Sequence, residues 1–163
     1  MAQKIKAQKE WPFYQAYHNG AYILRHDCSK DVTLREPKEK RLYRLLNNSG
    51  KEIVVYKIDG GIINNDEVQK CDNGIYTEDN LLILVELKGA DLDHALDQIS
   101  STINILLKQP SVKIERLNAR IVLSKVRVPD MLSTKEKQLK QLLQKSYGGG
   151  DCKKKCRVLV DTI

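Results

Sequence analysis

Five consecutive apolar residues, Leu81-Leu82-Ile83-Leu84-Val85, run straight into Glu86-Leu87-Lys88-Gly89, and this stretch most narrows what the chain can fold into. The run suits a strand covered on both faces better than a helix. Side chains alternate along a strand, so Glu86 and Lys88 share a face and Leu87 points the other way. A carboxylate and an ammonium thus leave the core together where a buried strand surfaces. Such groups are costly to bury unless they pair or bind an ion.

The residues before the run sharpen this. Residues 71–77 read as a second strand, and Glu78-Asp79-Asn80 as the turn between the two. If those three residues are the whole loop, Thr77 lies opposite Leu81 and Asp72 opposite Glu86. Cβ atoms of such cross-strand pairs are ~5 Å apart, and like charges there repel. A hard divalent cation with oxygen ligands offsets the repulsion, and Mg²⁺ is held by one or two carboxylates. A two-residue loop would instead put the carboxylates on opposite faces. The plainer reading is a surface hairpin with an ordinary Glu–Lys pair.

The order of elements around this hairpin follows from periodicity and punctuation. Residues 37–48 read as a helix, with Pro37 in its first turn, Leu42, Leu45 and Leu46 on one face, and Asn47-Asn48-Ser49-Gly50 as a stop. Residues 53–58 are rich in β-formers and end at Asp59-Gly60-Gly61. Residues 62–70 are polar and read as a loop. Residues 90–108 carry Leu92, Ala95, Leu96, Ile99, Ile103, Leu106 and Leu107 along one helical face, closed by Pro110. A strand centred on Ile121-Val122-Leu123 follows within residues 120–128. Ser133-Thr134-Lys135-Glu136 is a capping box that opens a helix to about Tyr147. Gly148-Gly149-Gly150 marks a connection, and residues 157–160 suggest a last short strand. The expectation is a single domain over residues 1–163. It divides into an N-terminal extension (1–35), a core (36–128), and a C-terminal helix and strand (129–163).

The order Asp72…Glu86-Leu87-Lys88, at the ends of adjacent strands, resembles the PD-(D/E)XK nuclease superfamily, although Cys71 and not proline precedes the Asp. Residues 37–125 are similar to its αβββαβ core. The resemblance implies an α/β fold of the restriction-endonuclease-like kind: a mixed central sheet flanked by helices, here with an extra C-terminal helix and short strand. It implies that Asp72 and Glu86 hold Mg²⁺, with Mn²⁺ as a substitute and the backbone carbonyl of Leu87 as a further ligand. Lys88 then orients or activates the attacking water. Many members carry another carboxylate in the first helix, as in archaeal Holliday-junction resolvases; Glu39 is the candidate and Glu36 its competitor. Either also serves as an ordinary acid near a helix N-terminus. Some members place a Gln in the helix after Glu-x-Lys. Gln98 resembles it, but Thr102 stands where a Tyr often follows.

His94 lies one turn before Gln98, so both reach the same side, toward phosphate or water or simply toward solvent. Lys113, Arg116, Arg120, Lys125 and Arg127 gather positive charge around the fourth strand. Of these, Lys113, Arg116, Lys125 and Arg127 are the nucleic-acid-binding candidates; taken individually, each reads more readily as a solvated side chain. Lys135, Lys137, Lys140 and Lys145 do the same on the last helix. The net charge of +7 favours a polyanionic partner. Five of the chain's nine aromatics, Trp11, Phe13, Tyr14, Tyr17 and Tyr22, fall within a dozen residues. They stack on bases in one reading and pack on the core in the favoured one.

No apolar run approaches the ~18 residues that span a bilayer, and the start carries no secretory pattern. A cytoplasmic protein with four reduced cysteines is expected. Cys152 and Cys156 are spaced too widely for the usual zinc knuckle and are separated by three lysines. The resulting expectation is a Mg²⁺-dependent nuclease acting on DNA in repair, recombination, restriction or phage defence. It has no membrane partner and a homodimer would let it reach both strands. The competing readings are an inactive nucleic-acid-binding or assembly module of the same fold, and a protein-interaction domain with no nucleic-acid role.

Overall fold

A computed structural model describes residues 10–87, 91–124 and 133–163. It is an α/β protein with a six-strand mixed sheet, a second three-strand sheet and three helices. In chain order the elements are α1 (Pro12–Ala16), a 3₁₀ turn (Gly20–Tyr22), β1 (Ile23–Asp27), β2 (Asp31–Arg35), β3 (Leu42–Leu46) and β4 (Ile53–Lys57). Then come β5 (Asn73–Thr77), β6 (Leu81–Glu86), α2 (Leu92–Leu106), β7 (Arg116–Leu123), α3 (Thr134–Ser146), β8 (Cys152–Cys156) and β9 (Val158–Thr162). The large sheet has the order β1-β4-β5-β6-β7-β8, antiparallel as far as β6 and parallel from β6 to β8. The small sheet has the order β2-β3-β9, with β9 parallel to β3.

Each face of the large sheet has its own core. Val54, Tyr56, Tyr76, Leu82, Leu84, Leu117, Ala119 and Ile121 face the helices, and Phe13 of α1, Leu96 and Ile99 of α2, and Leu139 and Leu143 of α3 cover them. Ile53, Val55, Ile75, Leu81, Ile83 and Val85 face the other way, against Val32, Leu34, Tyr43, Leu45 and Leu159 of the small sheet. β6 is therefore buried along its whole length, as the unbroken apolar run predicts. Among the described residues helices cover one face only, whereas the sequence suggested helices flanking the sheet.

The helix expected over residues 37–48 is absent. That segment is a loop followed by β3, and the reason lies in which side chains are buried. Tyr43 and Leu45 are sealed at 0% exposure while Arg44 between them is exposed, a period of two that Leu42, Leu45 and Leu46 had disguised as helical spacing. Residues 10–35, assigned no structure from the sequence, supply α1, β1 and β2. The favoured packing role of the N-terminal aromatics holds: Trp11 and Phe13 are buried and meet Tyr76 and Tyr56 edge-on, and Tyr14, Tyr17 and Tyr22 are partly buried against the same core.

The two later helices start where their caps are. The Asp91 carboxylate accepts from His94 N–H at α2, and the Ser133 hydroxyl accepts from Glu136 N–H at α3. Glu136 itself is 1% exposed and bonds Lys154 of β8 at 2.7 Å. After α3 the chain turns through Gly148 to Gly150. A Cβ on Gly148 or Gly150 would fall 1.8 Å from the carbonyl oxygen of Glu115 or Leu117, so backbone packs directly on the start of β7. The single strand expected near the end is two strands, joined by Arg157 alone at φ 65°. Through that residue the chain leaves the large sheet and enters the small one.

Candidate functional site

The hairpin joining β5 to β6 sets the site. Asn80 N–H donates to Thr77 O at 3.0 Å and Asn80 itself adopts φ 64°, the left-handed residue that ends a three-residue hairpin loop. The Asn80 amide holds that conformation by accepting from Tyr76 OH and donating to Lys113 O. With this loop, Tyr76 pairs with Leu82 and Asn73 with Val85, and the next rung is Asp72 and Glu86. Their side chains interlock across it. Glu86 Oε2 accepts from Asp72 N–H at 3.1 Å, and Asp72 Oδ2 accepts from Leu87 N–H at 2.8 Å. Each carboxylate is thus aimed by the other strand's backbone. By alternation both lie on the sheet face of Leu82 and Leu84, and Glu86 is fully buried.

Helix α2 anchors the strand that carries Asp72. Thr102 Oγ1 accepts from Cys71 N–H at 2.8 Å and donates to Gln98 O at 2.8 Å, while Gln98 Nε2 donates to Lys70 O at 3.0 Å. Gln98 therefore holds backbone two residues before Asp72. Thr102, at the position where the sequence departs from the Gln-to-Tyr spacing, holds the next residue. Burial, reinforced by the charges of Glu86 and Asp72, pushes the Cys71 thiol well above its ordinary range. Lys70, 7% exposed, bonds Asn65 O at 2.7 Å and lies 3.6 Å from Asp59. A cleft of about 220 Å³ beside it is lined by Asp59, Asp66, Lys70, His94 and Gln98, so His94 and Gln98 do face one side.

The two candidate carboxylates of the 36–41 loop are separated by their surroundings. Burial and then Asp72, with smaller pushes from Asp59 and Glu39, raise the Glu36 carboxyl, while Arg41 opposes them. Glu36 thus stands in the field of Asp72. Glu39 is on the same loop, not on a helix, and pairs with Arg41 at 3.3 Å. Lys113 and Arg116 lie far from the pair: Arg116 is level with Leu81 and Ile121 with Glu86, a separation of five residues or about 17 Å at ~3.3 Å per residue. They border other clefts instead, Arg116 one of about 580 Å³ with Arg120 and Lys153. Lys88, Lys125 and Arg127 lie outside the described residues.

The donor set at the hairpin is hard: two carboxylates and nearby backbone carbonyls, suited to Mg²⁺. After burial, the charges of Asp72 and, less, Asp59 raise the Glu36 carboxyl, a strain that a cation among them would relieve. Among the described residues no group of three or more His, Cys, Asp and Glu side chains is spaced to hold a metal, so a cation here would keep several waters, as Mg²⁺ does. Cys152 does not suit zinc, because burial first and then Glu136 push its thiol up to about 11. Among the described residues no helix is long and apolar enough to cross a membrane. Arg41 and Lys70 were not singled out by sequence reasoning, and Thr102 was named only as a departure from the Gln-to-Tyr spacing; the signal for its role was its place four residues after Gln98, one helical turn. No protein-family model matches the chain, and no curated protein or solved structure matches it.

Proposed function

We propose that this chain is a Mg²⁺-dependent nuclease of the restriction-endonuclease-like PD-(D/E)XK kind, hydrolysing phosphodiester bonds in DNA. The observation that carries the reading is the register that sets Asp72 opposite Glu86 where β5 and β6 end. The order β4-β5-β6-α2-β7, three antiparallel strands and a helical crossover to a parallel one, supports it. A two-strand cut is served by a homodimer.

Asp72 and Glu86 would hold Mg²⁺, or Mn²⁺ in its place, with the Leu87 carbonyl beside them. The ion would supply a lowered pKa for bound water and charge stabilisation at the phosphate. The protein's own part is orientation. The reciprocal carboxylate–amide bonds fix both acids before substrate arrives, and Thr102 and Gln98 fix the strand beneath Asp72. Lys88, by resemblance, orients the water or steadies developing charge. We assign the additional carboxylate to Glu36 in place of Glu39, because Glu36 shares the field of Asp72.

The test is cleavage with Mg²⁺ or Mn²⁺ of linear, nicked, branched and single-stranded DNA, with RNA alongside. Wild type is compared with Asp72→Ala, Glu86→Ala, Lys88→Ala, Glu36→Gln and Glu39→Gln. Cleavage by wild type and Glu39→Gln, with loss of about 10²-fold or more in the first three, is expected for groups that stabilise transition-state charge. Glu36→Gln should fall between. Cleavage retained in Asp72→Ala and Glu86→Ala would remove the hairpin from the chemistry. Binding without cleavage, equal in all variants, would identify a binding module.

A further inference from the structure

Arg41 closes the loop between β2 and β3, and it is the least satisfied charge among the described residues. It is 9% exposed. Its Nη2 lies 3.3 Å from Glu39 Oε2, yet Nε and Nη1 are sealed from solvent and donate to nothing. A guanidinium cannot escape this cost by losing its proton. Buried donors in native proteins are bonded as a rule, and a charged one left unbonded is costlier than a neutral one. The loop that carries Arg41 ends at the same edge as the Asp72–Glu86 pair: Leu42 N–H donates to Arg157 O, and Arg157 N–H to Leu123 O, two residues past Ile121, which is level with Glu86; at its start, Glu36 is within electrostatic reach of Asp72.

What would satisfy Arg41 is an oxyanion with several acceptor oxygens. Among the described residues the one carboxylate in a salt bridge with it, Glu39, fills one of three nitrogens and is itself half exposed. The rest of the loop favours a polyanion: Lys38 and Lys40 flank Glu39 and both are exposed. Arg is the side chain best matched to phosphate, through planar donors that engage its non-bridging oxygens. Residues 37–40 are all exposed, with Lys38 in a left-handed conformation (φ 65°) that a non-glycine residue rarely adopts.

We propose that Arg41 binds a phosphate of the DNA backbone beside the Asp72–Glu86 pair, and that Glu39 occupies its outer nitrogen until the phosphate displaces it. This rests on DNA lying along that edge, as the nuclease reading has it. Displacing Glu39 frees the outer nitrogen; Nε and Nη1, sealed from solvent, reach the phosphate only with a shift of the atoms that cover them, and then gain acceptors they lack without the ligand.

The experiment measures binding of a labelled duplex with Ca²⁺ in place of Mg²⁺, over a range of salt concentrations. Wild type is compared with Arg41→Met, Arg41→Lys and Glu39→Gln, and thermal unfolding is followed for each. Arg41→Met is expected to weaken binding about tenfold and to lower the slope of log affinity against log salt by about one, the signature of one lost phosphate contact. Arg41→Lys should keep the slope and lose part of the affinity, and Glu39→Gln should bind more tightly. Wild-type affinity and slope in Arg41→Met would overturn the inference, as would a weaker but folded Arg41→Met with an unchanged slope. Arg41-dependent binding of RNA with none of DNA would overturn the DNA assignment. The nuclease reading fails separately: a wild type that binds through Arg41 but does not cleave leaves this inference standing. One that retains neither DNA nor RNA at low salt overturns both.

Discussion

Replacing Thr102 by valine isolates the contact through which α2 holds the strand under Asp72. The shapes are close, and only the hydroxyl is lost. Thr102 is fully buried, so no water replaces Oγ1 as the acceptor for Cys71 N–H. A buried donor left unbonded costs about 1–3 kcal/mol. In a domain of 150–250 residues 1 kcal/mol moves the midpoint by about 2–4 °C, so about 1–3 kcal/mol predicts a drop of roughly 2–12 °C. The bond Thr102 donates to Gln98 O adds little, because that carbonyl also lies within the helix ladder. Cys71 immediately precedes Asp72, so on the nuclease reading the same change loosens an Asp72 carboxylate aimed at Leu87 N–H. Lost supporting contacts of this kind cost about 10–100-fold in metal affinity. The assay is cleavage against Mg²⁺ concentration, beside thermal unfolding without Mg²⁺, for wild type, Thr102→Val and Thr102→Ser. Thr102→Ser keeps the hydroxyl and should restore both. A Thr102→Val midpoint within 1 °C of wild type at about the precision of unfolding scans would refute the stability argument. An unchanged Mg²⁺ requirement, or equal impairment in Thr102→Ser, would refute the positioning argument.

Three other outcomes follow from the packing. Asp161 of β9 and Arg120 of β7 join the two sheets, with Arg120 only 3% exposed and Asp151 also on it. Asp161→Asn should cost about 3–4 kcal/mol in urea unfolding at pH 7, the lower part of the range for a broken buried pair because Asp151 remains. Burial alone would raise the Asp161 carboxyl, but Arg120 and the Tyr43 hydroxyl outweigh it and hold it below its ordinary value. The wild-type advantage should therefore be constant above about pH 4 and shrink as pH falls through that lowered value; a difference that grows with acid would refute it. Asn80→Ala should destabilise by about 1–3 kcal/mol through the left-handed backbone and the two lost side-chain bonds, and Asn80→Gly by less, measured by the same unfolding. Arg157→Gly should stabilise by about 0.5–1 kcal/mol, since glycine accepts φ 65° without strain; a loss would show that the Arg157 side chain holds the corner.

What could be read without coordinates was local. The Leu81–Val85 run, the three-residue turn and the alternation past it led to the correct Asp72–Glu86 rung, because cross-strand register in a tight hairpin depends only on loop length. The bounds of α2 and α3 came from apolar spacing and caps, which are also local. The small sheet was invisible for the opposite reason. Leu42, Tyr43, Leu45 and Leu46 satisfy a helical period in isolation, and only pairing with β2 and β9 selects a strand. β1 and β2 carry mostly exposed residues and so little apolar signal. At the site, Glu36 could not be told from Glu39 while the segment was taken for a helix, and Arg41 shows itself only through its burial.

The pairing of β3 with β9 joins positions more than a hundred residues apart, Leu42 with Val158. A ribosome therefore releases the β2–β3 hairpin long before its third strand exists. During that interval one edge of β3 has no backbone partner, and the apolar faces of Tyr43 and Leu45 have only β4 to β6 to settle on. The one-residue link at Arg157 then delivers β9 as soon as β8 docks on β7. Completion of the small sheet is thus tied to the last pairing in the large one. Such sequence-distant parallel pairing folds slowly, and the nascent chain is most open to mispairing at the edge of β3 until its final strand emerges.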